Sequence, residues 1–256
     1  MKILIVIDET NFYHPSFFSD LYDKLSKNKN QVFVGLVKKV KKTNSIDKYL
    51  LKNILKLNLY EVIFLSLKKI FFKFASFFWK FTKVQFSVEG VLKKFKIKYF
   101  IIEYDINKKI YLNIIKNYRP DIIISSCSVI FKKPILKCAK IACINRHTSL
   151  LPSYGGVYPV FQSIANCENY CGVTVHIMNS EIDDGKILAQ KKLLNEENNL
   201  SKIYKNAFNI SADLIILAIK NLIKNKFIHS NFKKSYFSFP NDEDWKKFRT
   251  NKGRFI

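Results

Sequence analysis

Short, continuous apolar runs that alternate with helical patterns constrain the fold of this chain of 256 residues more than any other feature. Four such runs have the length of strands that are buried on both faces. They lie at 3–7, 31–37, 99–102 and 122–125. Helical patterns occur at 17–25 and 106–117, and Ser87 can cap a further helix that reaches about Phe95. This alternation predicts an α/β fold with a doubly wound, Rossmann-like, mostly parallel sheet, whose functional residues lie in the loops after strands.

The later part of the chain continues the pattern with strands at 172–178 and 186–194 and an amphipathic helix at 200–224. Because this length supports one substantial core, we expect a single catalytic domain over residues 1–195, with a helical insertion at about 46–86. Residues 196–256 are then a C-terminal part made of the long helix and a short β-rich tail that includes the sequence YFSFP. The tail is expected to be a short appendage.

The chain is strongly basic, with 44 Lys and Arg residues against 20 Asp and Glu residues and a formal net charge of +24. This charge favours an anionic partner, which can be nucleic acid, an acidic membrane surface or a phosphorylated substrate. The alternative is charge without a specific partner, because Lys, Ile and Asn are all frequent under A+T-rich codon usage. The five cysteines form no C-x-x-C pair, which predicts reduced thiols in a cytoplasmic protein and no metal site.

A basic amphipathic helix is predicted within the insertion, at about 60–81. At about 100° per residue its lysines share an arc of roughly 140° and aromatic residues occupy the rest. These lysines are Lys68, Lys69, Lys73 and Lys80, with Lys83 just beyond. They interrupt every apolar run of about 20 residues, so the segment is not a membrane span. Two interpretations stay open: a helix that lies on the sheet with its lysines toward water, or one that binds the inner face of an anionic membrane peripherally.

The residues with the clearest chemistry follow two predicted strands. Asn145 and His147 come directly after a strand that ends at Ile144, and Asp183 follows the strand that ends near Met178. Because ligands bind at the carboxyl ends of the strands in such sheets, a neighbouring strand can bring Asp183 to the same edge as Asn145 and His147. The expected site is therefore an amide, an imidazole and a carboxylate.

Two segments around these residues resemble the folate-dependent formyltransferase family, which includes glycinamide ribonucleotide, methionyl-tRNA and nucleotide-sugar formyltransferases. The family pattern N-x-H-x-S-L-L-P matches the chain from Asn145 to Pro152. A later pattern, G-x-T-x-H followed by an acidic loop and D-x-G, also matches. Its residues are Gly172, Thr174, His176, Asp183 and Gly185. The resemblance implies an enzyme that takes a formyl group from N10-formyltetrahydrofolate and transfers it to an amine.

The chemistry of this transfer is consistent with the three candidate residues. Attack of an amine on a formyl carbon builds negative charge on oxygen and positive charge on nitrogen. Asn145 and His147 can donate hydrogen bonds to the oxygen, while Asp183 can hold His147 in its useful state and help to remove the amine proton. The resemblance assigns these same catalytic roles. His176 is either a core histidine or a residue that supports the catalytic groups.

The resemblance also implies where the folate binds. Family members bind the pterin largely through backbone groups of the loop before the Asn-x-His strand, which here includes Val129, Ile130 and Phe131. In the family the acidic loop helps to enclose the pterin, which adds Asp184 to the expected folate contacts.

The family resemblance implies three classes of amine that can accept the formyl group. Methionyl-tRNA formyltransferases carry a further C-terminal domain, for which we expect no room after residue 195. The glycinamide ribonucleotide enzymes have a glycine-rich phosphate loop, whereas the loop here, at 8–13, contains no glycine and opens with two carboxylates. The loop Tyr154–Tyr158 and the tail KSYFSFP resemble nucleotide-sugar formyltransferases of surface polysaccharide (lipopolysaccharide) synthesis, although many family members have Arg where this chain has Gly155.

We therefore expect a nucleotide-linked amino sugar, not a nucleic acid, as the acceptor, with Asn11 and Tyr154 as contacts. The family resemblance favours a homodimer. Methionyl-tRNA or glycinamide ribonucleotide formylation, and a non-catalytic folate-binding protein, stay as alternatives. The identity of the sugar, of its amine and of the nucleotide is open at this stage.

Overall fold

The computed structural model describes residues 1–10, 12–40, 49, 51–75, 77, 86–195 and 197–256, apart from the side chains of residues 39 and 40. The chain divides into two compact units, Met1–Ile144 and Asn145–Ile256. Both combine helices with strands, and the α/β, Rossmann-like fold that the apolar runs predict is confirmed. The predicted domain division at residue 195 stays a prediction.

The first unit is built on parallel strands. These strands are β1 (Lys2–Asp8), β2 (Gln31–Val40), β3 (Tyr99–Tyr104) and β4 (Ile122–Ser126). They are ordered β3-β2-β1-β4, and each neighbouring pair is parallel. The five residues Ile3–Ile7 have no exposed surface, as expected for a strand between two helical layers.

The helices of the first unit lie between its strands along the chain. They are α1 (His14–Lys27), α2 (Leu59–Ala75), α3 (Val88–Lys94), α4 (Lys109–Tyr118) and α5 (Lys133–Leu136), with a 3₁₀ turn at Ile54–Lys56. Ser87 accepts a hydrogen bond from the Gly90 N–H at 3.0 Å, which confirms it as the cap of α3. The helix of the predicted insertion is α2, while Lys80 and Lys83 lie outside the described residues.

The second unit contains the end of β5 (Ala142–His147), which begins in the first unit. Its other strands are β6 (Gly155–Gly156), β7 (Tyr170–Ile177), β8 (Ile187–Leu194) and β9 (Tyr236–Phe237). Its helices are α6 (Pro159–Ala165), α7 (Leu200–Ile223) and α8 (Asp242–Thr250). Strands β7 and β8 are antiparallel, and β6 pairs with β9 in a separate two-stranded sheet. Helix α7 packs on β7 and β8.

Helix α7 is long and apolar enough, by length and composition, to cross a membrane, and half of its most apolar window is buried. The core helix of a globular unit meets the same criterion, and α7 buries Ile203, Ala207 and Ile215 on one face. We interpret it as the core helix of the second unit.

The tail forms one two-residue strand and a helix that the sequence analysis did not anticipate. Helix α8 begins with a capping box, in which Asn241 and Asp244 each accept a hydrogen bond from the other's backbone N–H. The helix buries Trp245 and Phe248 against Phe161 of α6, and the rings of Phe161 and Phe248 stack at 4.2 Å between centroids. The tail is thus part of the core of the second unit.

We predict that Phe248→Ala lowers the free energy of unfolding by about 3–5 kcal/mol, because it removes a fully buried ring and leaves a cavity. Urea denaturation followed by tryptophan fluorescence measures this change. The control is Ile223→Ala, at a side chain that is 60% exposed, which should change the free energy of unfolding by less than about 1 kcal/mol. Equal effects of the two substitutions would contradict a core role for α8.

Candidate active site

Strand β5 presents two of the candidate residues on one face. Successive side chains of a strand point to opposite faces, so Asn145 and His147 share a side while Arg146 points the other way. The Arg146 side chain is buried, donates a hydrogen bond from Nε to Ser211 Oγ at 2.9 Å, and lies 3.9 Å from the ring centroid of Phe208. The strand therefore separates the candidate site from the core beneath α7.

Asp183 lies beside two histidines. Its Oδ2 atom is 3.7 Å from His147 Nδ1, and its Oδ1 atom is 3.7 Å from His176 Nε2. The carboxylate also accepts a hydrogen bond from the Gly156 N–H at 2.8 Å. Side-chain exposure is 11% for His147, 2% for His176 and 9% for Asp183, so the group is largely shielded from water. The second unit thus brings together residues that are far apart in the sequence.

His176 connects Asn145 with the acidic loop. Its Nδ1 atom is 3.0 Å from the Ile177 carbonyl oxygen, which can only accept, so the proton is assigned to Nδ1. The Nε2 lone pair can then accept a hydrogen bond from Asn145 Nδ2 at 3.3 Å. One N–H of the Asn145 amide is used in this contact and orients the side chain, while the amide retains a second N–H.

The ring of His147 is held from the opposite edge. Its Nε2 atom lies 3.0 Å from the Tyr154 carbonyl oxygen, which assigns the Nε2 proton. In the neutral ring the Nδ1 lone pair then faces Asp183, and the two atoms are 3.7 Å apart. This distance is long for a direct hydrogen bond. A water molecule beside the two atoms can bridge them. This arrangement suits a group that accepts a proton.

The electrostatics of the pair favour an ionised carboxylate and a neutral ring. Burial lowers the pKa of His147 below its ordinary value, while the Asp183 carboxylate opposes that change and the charge of Arg146 adds to it. Burial alone would raise the pKa of Asp183, but the charge that His147 gains on protonation and the hydrogen bond from the Gly156 N–H hold it below its ordinary value. At neutral pH the site therefore contains one negative charge beside a base.

A buried hydroxyl fixes the segment that follows β5. Thr174 Oγ1 donates to the Ser149 carbonyl at 2.7 Å and accepts from the Leu151 N–H at 3.1 Å and from Gln190 Nε2 at 2.8 Å. Gln190 also donates to the Leu151 carbonyl at 2.8 Å. The sequence analysis did not select Gln190, whose only sequence signal is a polar residue directly after the apolar residues 187–189. Its position opposite Thr174 follows from the β7–β8 register.

Glycines allow two close backbone approaches at the site. A Cβ atom on Gly185 would lie 1.6 Å from the Ile177 carbonyl oxygen, so only glycine lets the acidic loop pass this close to β7. Gly156 has φ +92°, and a Cβ there would lie 2.1 Å from the Phe237 carbonyl oxygen. The D-x-G pattern and the paired glycines thus have a steric explanation.

The loop and the tail that resemble nucleotide-sugar enzymes contact one another. Strands β6 and β9 pair, and the rings of Tyr154 and Phe237 stack at 5.3 Å with an interplanar angle of 10°. The Tyr154 hydroxyl donates to Glu168 at 2.8 Å. The backbone of Tyr154 therefore supports His147 while its ring lies on the tail.

The loop predicted to bind the pterin, Val129–Phe131, belongs to the first unit. Val129 and Phe131 are buried and Ile130 is 58% exposed. The Asn107 amide donates to the Ile130 carbonyl at 2.8 Å and its Oδ1 accepts from the Lys132 N–H at 2.8 Å, which fixes this loop. Asn11 lies outside the described residues.

The carboxylates of Asp8, the last residue of β1, and of Glu9 are occupied by contacts within the first unit. Asp8 accepts from the Ser128 N–H and hydroxyl, at 2.9 and 3.1 Å. Glu9 accepts from the Val88 and Glu89 N–H groups at the start of α3, at 3.0 and 2.8 Å. The N–H groups and the hydroxyl that donate to these carboxylates are therefore unavailable to a phosphate unless the carboxylates move.

A cavity of about 400 Å³ lies beside the acidic loop in the second unit. Asp183, Asp184 and Lys186 line one side, and residues 227–230 line the other. Asp184 accepts a hydrogen bond from Lys234 Nζ at 2.6 Å. Among the described residues, no three His, Cys, Asp or Glu side chains are placed to hold a metal ion.

We predict that Asp183→Asn lowers the pKa of His147 further, because the substitution removes the negative charge that favours the imidazolium. Two-dimensional NMR of the four histidine rings, followed against pH, measures the change. The matched control is Glu181→Gln on the same loop, at an exposed side chain, which should leave the titration unchanged. A pKa of His147 that rises in Asp183→Asn would contradict the arrangement.

Part of the chain is similar to known formyltransferases. The formyl transferase family model matches residues 106–219. The methionyl-tRNA formyltransferase of Borrelia garinii subsp. bavariensis is 37% identical over 115 residues, which are 44% of this chain and 36% of the relative. The chain thus spans about a third of the length of this curated relative.

Solved structures match most of the chain. A sugar N-formyltransferase from Shewanella sp FDAARGOS_354 has a TM-score of 0.58 and 22% identity, and the match covers 93% of this chain and 77% of that one. The N-formyltransferase from Helicobacter canadensis, in complex with folinic acid and dTDP-3-aminofucose, has a TM-score of 0.57 and 18% identity over 96% and 79% of the two chains. The resemblance read from the two motifs is confirmed by these matches: residues 106–219 match the formyl transferase family model, and the chain has the fold of the sugar N-formyltransferases.

Proposed function

We propose that this protein transfers a formyl group from N10-formyltetrahydrofolate to the amine of a nucleotide-linked amino sugar. The observation that carries the proposal is the cluster of Asn145, His147 and Asp183, which lies within the segment that the formyl transferase model matches. A protein that only binds folate would need neither a shielded base beside an ionised carboxylate nor an oriented amide donor.

The residues present fit the folate. When bound, the folate supplies the formyl carbon that the amine attacks. On the side of the protein, the second N–H of Asn145 can stabilise an oxygen that gains negative charge. The loop Val129–Phe131 and Asp184 are the residues proposed to hold the pterin. The loop is suited to this task because the Asn107 side chain fixes its backbone on both sides of Phe131.

His147 and Asp183 handle the proton that the amine must lose. With its Nε2 proton donated to the Tyr154 carbonyl, neutral His147 accepts at Nδ1, directly or through a water beside Asp183. The Asp183 carboxylate then stabilises the imidazolium by its charge. The imidazolium would return the proton to the folate nitrogen as the bond between that nitrogen and the formyl carbon breaks. In this geometry Asn145 is the principal donor to the oxygen, since the His147 Nε2 proton is already used.

Two features support a nucleotide-linked amino sugar as the acceptor. The loop after β1 has its carboxylates bound to Ser128 and α3, so it is poorly suited to the phosphate of glycinamide ribonucleotide. The aromatic residues Tyr154 and Tyr158, on either side of β6, and Phe237 of β9 offer rings for a base to stack on. Synthesis of surface polysaccharide, a cytoplasmic location and a homodimer belong to the same proposal.

Methionyl-tRNA is the second candidate acceptor. The curated relatives are methionyl-tRNA formyltransferases, and the net charge of +24 favours a polyanion. The two candidates differ in the acceptor alone and share the same catalytic cluster.

We predict that Asn145→Ala, His147→Ala and Asp183→Ala each reduce turnover by about 10²- to 10³-fold, because each removes a group that acts in the transition state. A coupled assay with N10-formyltetrahydrofolate measures the rate, and circular dichroism checks that the fold is intact. Glu181→Gln is the control and should retain full turnover. Near-normal turnover in any of the three variants would refute the role assigned to that residue.

For the acceptor, we predict faster formylation of a deoxythymidine or guanosine diphosphate amino sugar than of the free amino sugar, glycinamide ribonucleotide or charged initiator tRNA. Apparent affinity for the nucleotide sugar should fall as salt rises, because lysine contacts to the diphosphate are partly screened. Initial rates across this panel at two ionic strengths provide the measurement. Faster formylation of charged initiator tRNA would make methionyl-tRNA the proposed acceptor. Equal activity on the free amino sugar would refute recognition of the nucleotide.

A further inference from the structure

Helix α2 has a wide apolar face that is open to solvent. Eight of its apolar side chains are between 40% and 75% exposed. They are Leu59, Tyr60, Ile63, Phe64, Leu67, Ile70, Phe71 and Phe74. At about 100° per residue these eight positions fall within one arc of about 140°, so they form a single continuous face, the apolar arc.

The opposite side of α2 is attached to the first unit. Glu61 is 1% exposed and forms a capping box with Asn58, in which each side chain accepts a hydrogen bond from the other's backbone N–H. The Phe72 ring packs at 5.6 Å from Phe12 and 5.5 Å from Phe86. This anchored side faces away from the apolar arc and fixes which face of the helix meets the solvent.

Lysines flank the apolar arc on both edges. By the same angular count, Lys68 lies about 40° beyond one edge and Lys73 about 40° beyond the other, with Lys69 next to Lys73. Lys69 and Lys73 are exposed, while Lys68 Nζ lies 5.2 Å from the ring centroid of Phe12. Apolar side chains with long cationic side chains along the borders match the interface of a bilayer, where ammonium groups reach the headgroups and aromatic rings enter the acyl boundary.

The positive charge of the lysines beside the apolar arc favours one binding partner over the other. A second copy of this chain docked through the apolar arc would place the same flanking lysines opposite each other. An anionic phospholipid surface instead attracts the lysines and buries the apolar arc. We propose that α2 docks this protein on the surface of an anionic bilayer, with the helix lying in the plane of the headgroups.

The test measures sedimentation of the full chain with phosphatidylcholine vesicles and with mixed phosphatidylcholine and phosphatidylglycerol vesicles. The unmodified protein should bind only the mixed vesicles. Lys69→Glu with Lys73→Glu, and separately Leu67→Gln with Ile70→Gln, should weaken that binding at least about tenfold. Turnover on soluble substrate should stay unchanged, because α2 contributes no residue to the proposed catalytic cluster.

Control variants on helices of the second unit distinguish binding through the apolar arc from a general effect of net charge or of exposed apolar side chains. Lys205→Glu with Lys246→Glu changes the net charge by the same amount at exposed positions, and Leu217→Gln with Ile223→Gln replaces apolar side chains that are 46% and 60% exposed. Both should bind mixed vesicles within about twofold of the unmodified protein. Absence of vesicle binding by the unmodified protein, or equal losses in the matched variants, would overturn the proposal. So would a dimer that only Leu67→Gln with Ile70→Gln dissociates while vesicle binding persists.

Discussion

The candidate site depends on one buried hydroxyl group. Thr174 Oγ1 has no access to water and makes three hydrogen bonds, which use its single proton and both lone pairs. Two of its partners belong to the segment between His147 and Tyr154, so the hydroxyl fixes the path of the chain directly after β5. That path in turn places the Tyr154 carbonyl against His147. A valine of the same shape at this position would leave the Leu151 N–H and the Ser149 carbonyl buried without this partner.

The acidic loop is held by steric and electrostatic constraints together. Gly185 lets the loop approach β7, and Asp183 adopts φ 55°, a left-handed conformation that aspartate tolerates better than most residues. The hydrogen bond from the Gly156 N–H then fixes the carboxylate. Because Gly156 also belongs to the strand pair formed by the loop and the tail, the orientation of Asp183 depends on residues near the end of the chain.

The sequence predicted the features that arise from local patterns. The apolar runs located the strands, Ser87 marked the start of α3, and the two motifs selected Asn145, His147 and Asp183, which the structure brings together. Three features depend on long-range contacts and were not predictable: the pairing of β6 with β9, the helix Asp242–Thr250, and the outward direction of the apolar arc on α2. Periodicity shows that a helix has two faces, but only the packing of Glu61 and Phe72 determines which one is buried.

The large positive charge is relevant to the site even though few cations are near it. In a chain of net charge +24 the surrounding potential favours ionised carboxylates and neutral bases, which is the same direction as the local shifts at Asp183 and His147. Salt screens the distant charges beyond roughly 8–10 Å, whereas the Gly156 N–H and the buried Arg146 act at short range and are screened much less. The protonation state of the pair is therefore set mainly by its immediate neighbours. Anionic ligands or membranes that bind distant surface lysines therefore have little effect on the base that the proposed chemistry requires.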